Sequence, residues 1–150
     1  MKAAYITAAG GIDKFVYGDL PDPVAAAGEV LVDIHAASVN GADWKSRSGG
    51  YGNTMKFPYI LGRDFSGVVS AVGAGVSDLK VGDEVFGVCA AGQEGTYCEK
   101  IAMDASITAK KPDSMSHVDA AALALIGLTA LVSIEDTLKL RKGETILVQG

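Results

Sequence analysis

Asn40 and Asp43, with the adjacent pair Arg63 and Asp64, are the residues of this sequence best suited to hold or steer charge. An asparagine amide is a fixed donor for an oxygen that gains charge. It serves equally well to satisfy backbone groups where a strand meets a helix. Asp43 stands three residues on, on the same side if the segment is helical, and also fits as a first-turn charge or cap. Arg63 is a permanent cation. Next to Asp64 it makes either an ion pair that fixes a loop or a positive charge held toward a ligand. Trp44, Tyr51 and Tyr59 could line a flat apolar slot, although core packing is the plainer use of a lone Trp. Thr129 fits a helix threonine bonded back to the previous turn. His35 and His117 are not paired by any local spacing. Cys89 and Cys98 have no base beside them in sequence. Two cysteines and two histidines are too few for a Cys-rich zinc site.

These residues need a scaffold of short strands. Residues 2–7, 30–39, 65–72, 84–88 and 96–102 each read as a strand, broken by Gly, Pro and Asp. In residues 30–39, Val30, Val32, Ile34 and Ala36 share one face and Asp33 and His35 take the other. Gly67 inside its strand predicts a bulge or a close backbone approach. The pattern favours a small all-β barrel or sandwich for residues 1–110. After Pro112 the texture changes. Ser116 is placed as an N-cap with Asp119 three residues on. Residues 120–125 form helix, Gly127 interrupts it, and residues 128–138 resume it. A basic run, 139–142, leads into an apolar strand at 145–149, and Gly150 follows. A strand ending in glycine with no helix after it reads as a βα unit cut at its turn, which implies a longer chain.

Thirteen Lys and Arg against eighteen Asp and Glu leave a net charge of −5, which disfavours a nucleic-acid partner. With 49% hydrophobic and 21% charged residues the composition is that of a globular domain. The start of the chain lacks the apolar core of a signal peptide. The longest apolar stretch, 120–134, falls short of the ~20 residues of a membrane span. A soluble cytoplasmic protein with no membrane partner is expected.

Five segments, in order and at matching spacing, resemble the medium-chain dehydrogenase/reductase superfamily, in its zinc-independent quinone oxidoreductase (zeta-crystallin-like) branch. They are Asn40-Gly41-Ala42-Asp43 within residues 37–45; Gly62-Arg63-Asp64-Phe65-Ser66-Gly67 within 57–69; Gly73-Ala74-Gly75 continuing to Gly82-Asp83-Glu84-Val85; Gly95-Thr96-Tyr97-Cys98-Glu99; and Ala120-Ala121-Ala122-Leu123 continuing to Gly127-Leu128-Thr129-Ala130. The resemblance implies a mainly β, GroES-like substrate domain over residues 1–115. Residues 116–150 would then be the connecting helix and first strand of a truncated Rossmann α/β domain. Zinc-dependent relatives carry cysteine where this chain has Asn40 and histidine where it has Arg63. An amide is a poor zinc ligand and a guanidinium repels the cation. The four-cysteine structural zinc lobe is reduced to Cys89 within residues 87–95. Gly41 and Ala124 replace two family-typical prolines.

The resemblance thus implies an NADPH-dependent, metal-free reductase of quinones or α,β-unsaturated carbonyls, with NADH also possible as cofactor. Asn40, Arg63 and Asp64 are the expected catalytic set, with Asn40 as donor to the substrate oxygen or guide of the nicotinamide. Asn40, Asp43, Thr129 and Gly150 are expected at the cofactor, and Trp44, Tyr51 and Tyr59 around a quinone ring. The family further implies a homodimer for a full-length protein and an inactive 150-residue piece. Alternatives are an enoyl-thioester reductase on the same scaffold, and a non-catalytic GroES-like interaction domain.

Overall fold

The computed structural model describes residues 1–50, 55–90, 92–93 and 95–149. Eight strands and two α-helices are seen among them: β1 (Lys2–Ile6), β2 (Phe15–Asp19), β3 (Glu29–Ala37), α1 (Gly41–Arg47), β4 (Tyr59–Ile60), β5 (Asp64–Val72), β6 (Glu84–Val88), β7 (Lys100–Asp104), β8 (Thr108–Lys110) and α2 (His117–Leu131). They form a three-stranded sheet, β2-β1-β4, and a five-stranded sheet, β7-β3-β5-β6-β8. All pairings are antiparallel. Successive side chains of a strand alternate faces. Val30 and Val32 of β3, Phe65 and Val69 of β5, Val85 of β6 and Met103 of β7 therefore meet in one buried cluster.

The expected bulge is present. β3 and β5 shift register between Ile34 and Ala36, opposite Gly67 and Ser66. A Cβ on Gly67 would lie 2.1 Å from the Asp33 carbonyl oxygen, so only glycine lets the two strands close here.

The region after residue 115 departs from expectation in three ways. Helix runs through Gly127 without interruption and continues as π-helix over Val132–Thr137. Residues 145–149 form no strand and are exposed, because an apolar pattern becomes a strand only where another strand takes its backbone groups. The continuous helix His117–Thr137 is, by length and composition, apolar enough to cross a membrane, contrary to the estimate from the apolar run alone. Its inward face is nonetheless packed on the sheet through Ala120, Ala121 and Ala124. Earlier in the chain, the strand expected at 96–102 is split: Cys98 makes an isolated antiparallel bridge to Ala3, and β7 begins at Lys100.

Candidate functional site

Asp64 opens β5 and is fully buried. Its Oδ1 accepts the Ser38 N–H at 3.0 Å and the Ser38 hydroxyl at 2.7 Å. Its Oδ2 lies 2.8 Å from the same hydroxyl and accepts the Asn40 Nδ2–H at 3.1 Å. Asn40 Nδ2 also donates to Ser38 Oγ at 3.1 Å. A carboxylate only accepts, so the Asn40 amide must present its nitrogen inward. This is a correction to the expected role: the amide hydrogens that were to support a substrate oxygen are turned to Asp64 and Ser38.

Asn40 is also the N-cap of α1. Its N–H donates to Asp43 Oδ2 at 2.7 Å, and the Asp43 N–H donates to the Asn40 carbonyl at 3.0 Å. Asp43 thus takes the capping role, buried at 3% exposure. Tyr97, from the loop before β7, donates its hydroxyl to the same Asp43 Oδ2 at 2.6 Å. Asn40, Asp43 and Asp64 are one network. Sequence reasoning missed Ser38 and Tyr97, its other members. Ser38 left a faint signal, a serine two residues before a helix N-cap.

Arg63 is not ion-paired with Asp64. Successive residues of extended chain point to opposite sides, so the guanidinium and carboxylate diverge. Arg63 instead lines a cavity of about 580 Å³ between β6, β8 and α2, with Phe86, Cys89, Ile107, Leu125 and Leu128 among its walls. Its Nε is buried without a hydrogen-bond partner. Among the described residues two other buried side-chain atoms share that condition, Asp43 Oδ1 and Thr96 Oγ1. Gly62, the residue before Arg63, sits at φ +102°, where a Cβ would fall 2.1 Å from Thr96 Oγ1 and 2.8 Å from the Tyr97 ring. The loop carrying Thr96 and Tyr97 is tied there by Gly95 N–H to the Gly62 carbonyl and Tyr97 N–H to the Leu61 carbonyl, both 3.0 Å. Native proteins leave few buried polar atoms unpaired, so these three stand out.

The remaining candidates lie apart from this network. Trp44 is 56% exposed, with Lys45 Nζ 5.8 Å from its ring centroid. Tyr59 pairs with Ile6 in the small sheet and lines a second cavity of about 330 Å³ beside Cys98. Thr129 donates to the Leu125 carbonyl at 2.8 Å, the plain helix reading. Tyr51 and Gly150 lie outside the described residues. Burial pushes the Cys98 thiol up to about 11, and its Sγ lies 3.0 Å from both the Gly95 and Lys100 carbonyl oxygens, one of which takes its single proton. Among the described residues no three His, Cys, Asp or Glu side chains converge as a metal site.

Residues 26–113 match the alcohol dehydrogenase GroES-like domain family. The chain belongs to that family and, with it, to the medium-chain dehydrogenase/reductase superfamily. It is 32% identical to rat quinone oxidoreductase over 151 residues, covering 100% of this chain and 45% of the relative. An alcohol dehydrogenase superfamily protein from Novosphingobium aromaticivorans superposes with a TM-score of 0.90 at 35% identity, over 100% of this chain and 46% of that one. Escherichia coli quinone oxidoreductase, solved with NADPH, matches at a TM-score of 0.84 and 30% identity, over 91% of this chain and 41% of that one. The chain spans less than half the length of these relatives.

Proposed function

We propose that this chain supplies the substrate-side half of an NADPH-dependent reductase of quinones or α,β-unsaturated carbonyls that works without zinc. The observation carrying this reading is Arg63: among the described residues this cation has no carboxylate partner and its Nε is buried and unpaired, at the edge of an apolar cavity. Such a cavity suits a flat, weakly polar carbonyl compound. A fixed cation in a water-poor site stabilises negative charge far better than water does. The bound nicotinamide supplies the hydride. With hydride delivered to the electrophilic carbon of the substrate, Arg63 would balance the charge that develops on the carbonyl oxygen until solvent protonates it.

Asp64 acts at one remove, as a positioning residue. By accepting from Ser38 and Asn40 it fixes the loop between β3 and α1, and its own charge is spent there rather than on Arg63. Asp43 and Tyr97 hold the other side of Asn40. We assign Asn40, so held, and Thr129 to the nicotinamide end of the cofactor.

The test is oxidation of NADPH by the complete gene product, freed of metal by exhaustive chelation. Turnover of benzoquinones that survives chelation supports the reading. Loss of activity restored only by zinc, or absence of NADPH oxidation with every quinone and enone, contradicts it. Turnover confined to enoyl thioesters would reassign the substrate class.

A further inference from the structure

Tyr97 stands on the loop before β7, yet its backbone and side chain are both tied down. Its N–H donates to the Leu61 carbonyl at 3.0 Å, and its carbonyl accepts the Ala4 N–H of β1 at 2.8 Å. Its hydroxyl donates to Asp43 Oδ2 at 2.6 Å. That is the short length of a hydroxyl bonded to a carboxylate, one of the stronger hydrogen bonds in proteins. Its ring lies over Gly62, so close that a Cβ there would come within 2.8 Å of it. The side chain therefore joins two segments distant in sequence, residues 61–63 and the first turn of α1.

The two segments carry different functional groups. Gly62 leads directly into Arg63, whose carbonyl accepts the Cys89 N–H at 2.7 Å just beyond β6. The backbone at Arg63 is thus held from the β6 side by Cys89 and from the other side through Gly62 by the Tyr97 ring. In α1, the Asp43 Oδ2 that receives the Tyr97 hydroxyl also accepts the Asn40 N–H at 2.7 Å. Asp64 already fastens the Asn40 loop to the start of β5, through Ser38 and the Asn40 amide. One attachment leaves a loop able to pivot, and a second fixes its orientation. Tyr97 supplies the second.

We propose that Tyr97 is a positioning residue of the reductase. Acting through Gly62 and Asp43, it sets where Arg63 stands relative to Asn40, and so where the substrate-side cation stands relative to the nicotinamide end of the cofactor. The assignment rests on the roles proposed above for Arg63 and Asn40. Transfer between two bound partners is sensitive to such placement, since a misfit of about 1 Å costs as much as about 100-fold in rate. A placement error weakens the transition state more than the bound substrate, so the loss falls on kcat and spares KM.

Tyr97→Phe in the complete gene product keeps the ring over Gly62 and removes the hydroxyl. With NADPH and a benzoquinone it should lower kcat about tenfold, with the quinone KM close to that of the parent. Placed in the Arg63→Gln enzyme, the same change should cost little, because no cation is left to position. A tyrosine that merely stabilises the fold would cost the same in both backgrounds. An unchanged kcat in Tyr97→Phe, a loss seen only in KM, or an equal loss in both backgrounds overturns the positioning role. If Arg63→Gln alone lowers kcat, the proposed function survives each of those results. If Arg63→Gln alone leaves kcat unchanged, the proposed function fails and the positioning role fails with it. Asp43→Asn, which keeps an oxygen for the tyrosine but removes the charge from the bond, decides the matter if Tyr97→Phe does not fold. A kcat loss confined to the enzyme that retains Arg63 supports the tie, and an equal loss in both backgrounds overturns it.

Discussion

The five-stranded sheet and the helix lying on it bury their residues by different means. The sheet closes on large side chains: Phe65, Val30, Val32, Val85 and Met103 show no exposure. Its buried carboxylate, Asp64, is hydrogen-bonded through both oxygens. α2 buries only alanines and leaves Leu123, Ile126, Leu128 and Leu131 about half exposed. Its sequence is the more hydrophobic of the two, yet it contributes less to the core. Apolar content measures what a segment can bury, and geometry decides what it does bury. The strands carry the stability, and the helix is a lightly held wall of the cavity beside Arg63.

Substitutions in the two regions should therefore separate widely. Phe65→Ala should cost about 3–5 kcal/mol in denaturant unfolding, as expected for a large residue cut from a close-packed interior. Leu131→Ala, at 51% exposure, should stay within about 0.5 kcal/mol. Equal costs would erase the contrast. Next in size, Asp64→Ala should destabilise by about 1–3 kcal/mol, since it leaves the half-buried Ser38 and Asn40 donors without their acceptor. A neutral result would mean that the loop before α1 is held by other contacts. The smallest effect belongs to the helix. Ser116→Ala removes the oxygen that accepts the Asp119 N–H at 3.1 Å and should cost about 1 kcal/mol, read as fraying of the first turn of α2.

Much of the sheet was legible in the sequence because alternation is a local signal. The strand expected at 30–39 is β3 at Glu29–Ala37, and Gly67 marked the bulge before any partner strand was known. The short strands β2, β4 and β8 were not foreseen, because pairing rather than composition defines them. Pairing also explains the reverse error at 145–149. In the site, the Asn40–Asp43 cap could be read from its spacing. The divergence of Arg63 from Asp64 follows from strand geometry, but only once β5 is known to begin at Asp64. The partnership of His117 with Ser66 and His35 had no local trace, since the sheet brings together residues from distant parts of the chain.

The account stands most directly on the charge of Arg63. In the complete gene product, Arg63→Gln should lower kcat for quinone reduction about 100-fold, the scale of losing one transition-state donor, while thermal stability and NADPH affinity stay near those of the parent. An unchanged kcat would contradict the assignment and leave Arg63 as a packing residue of the cavity wall.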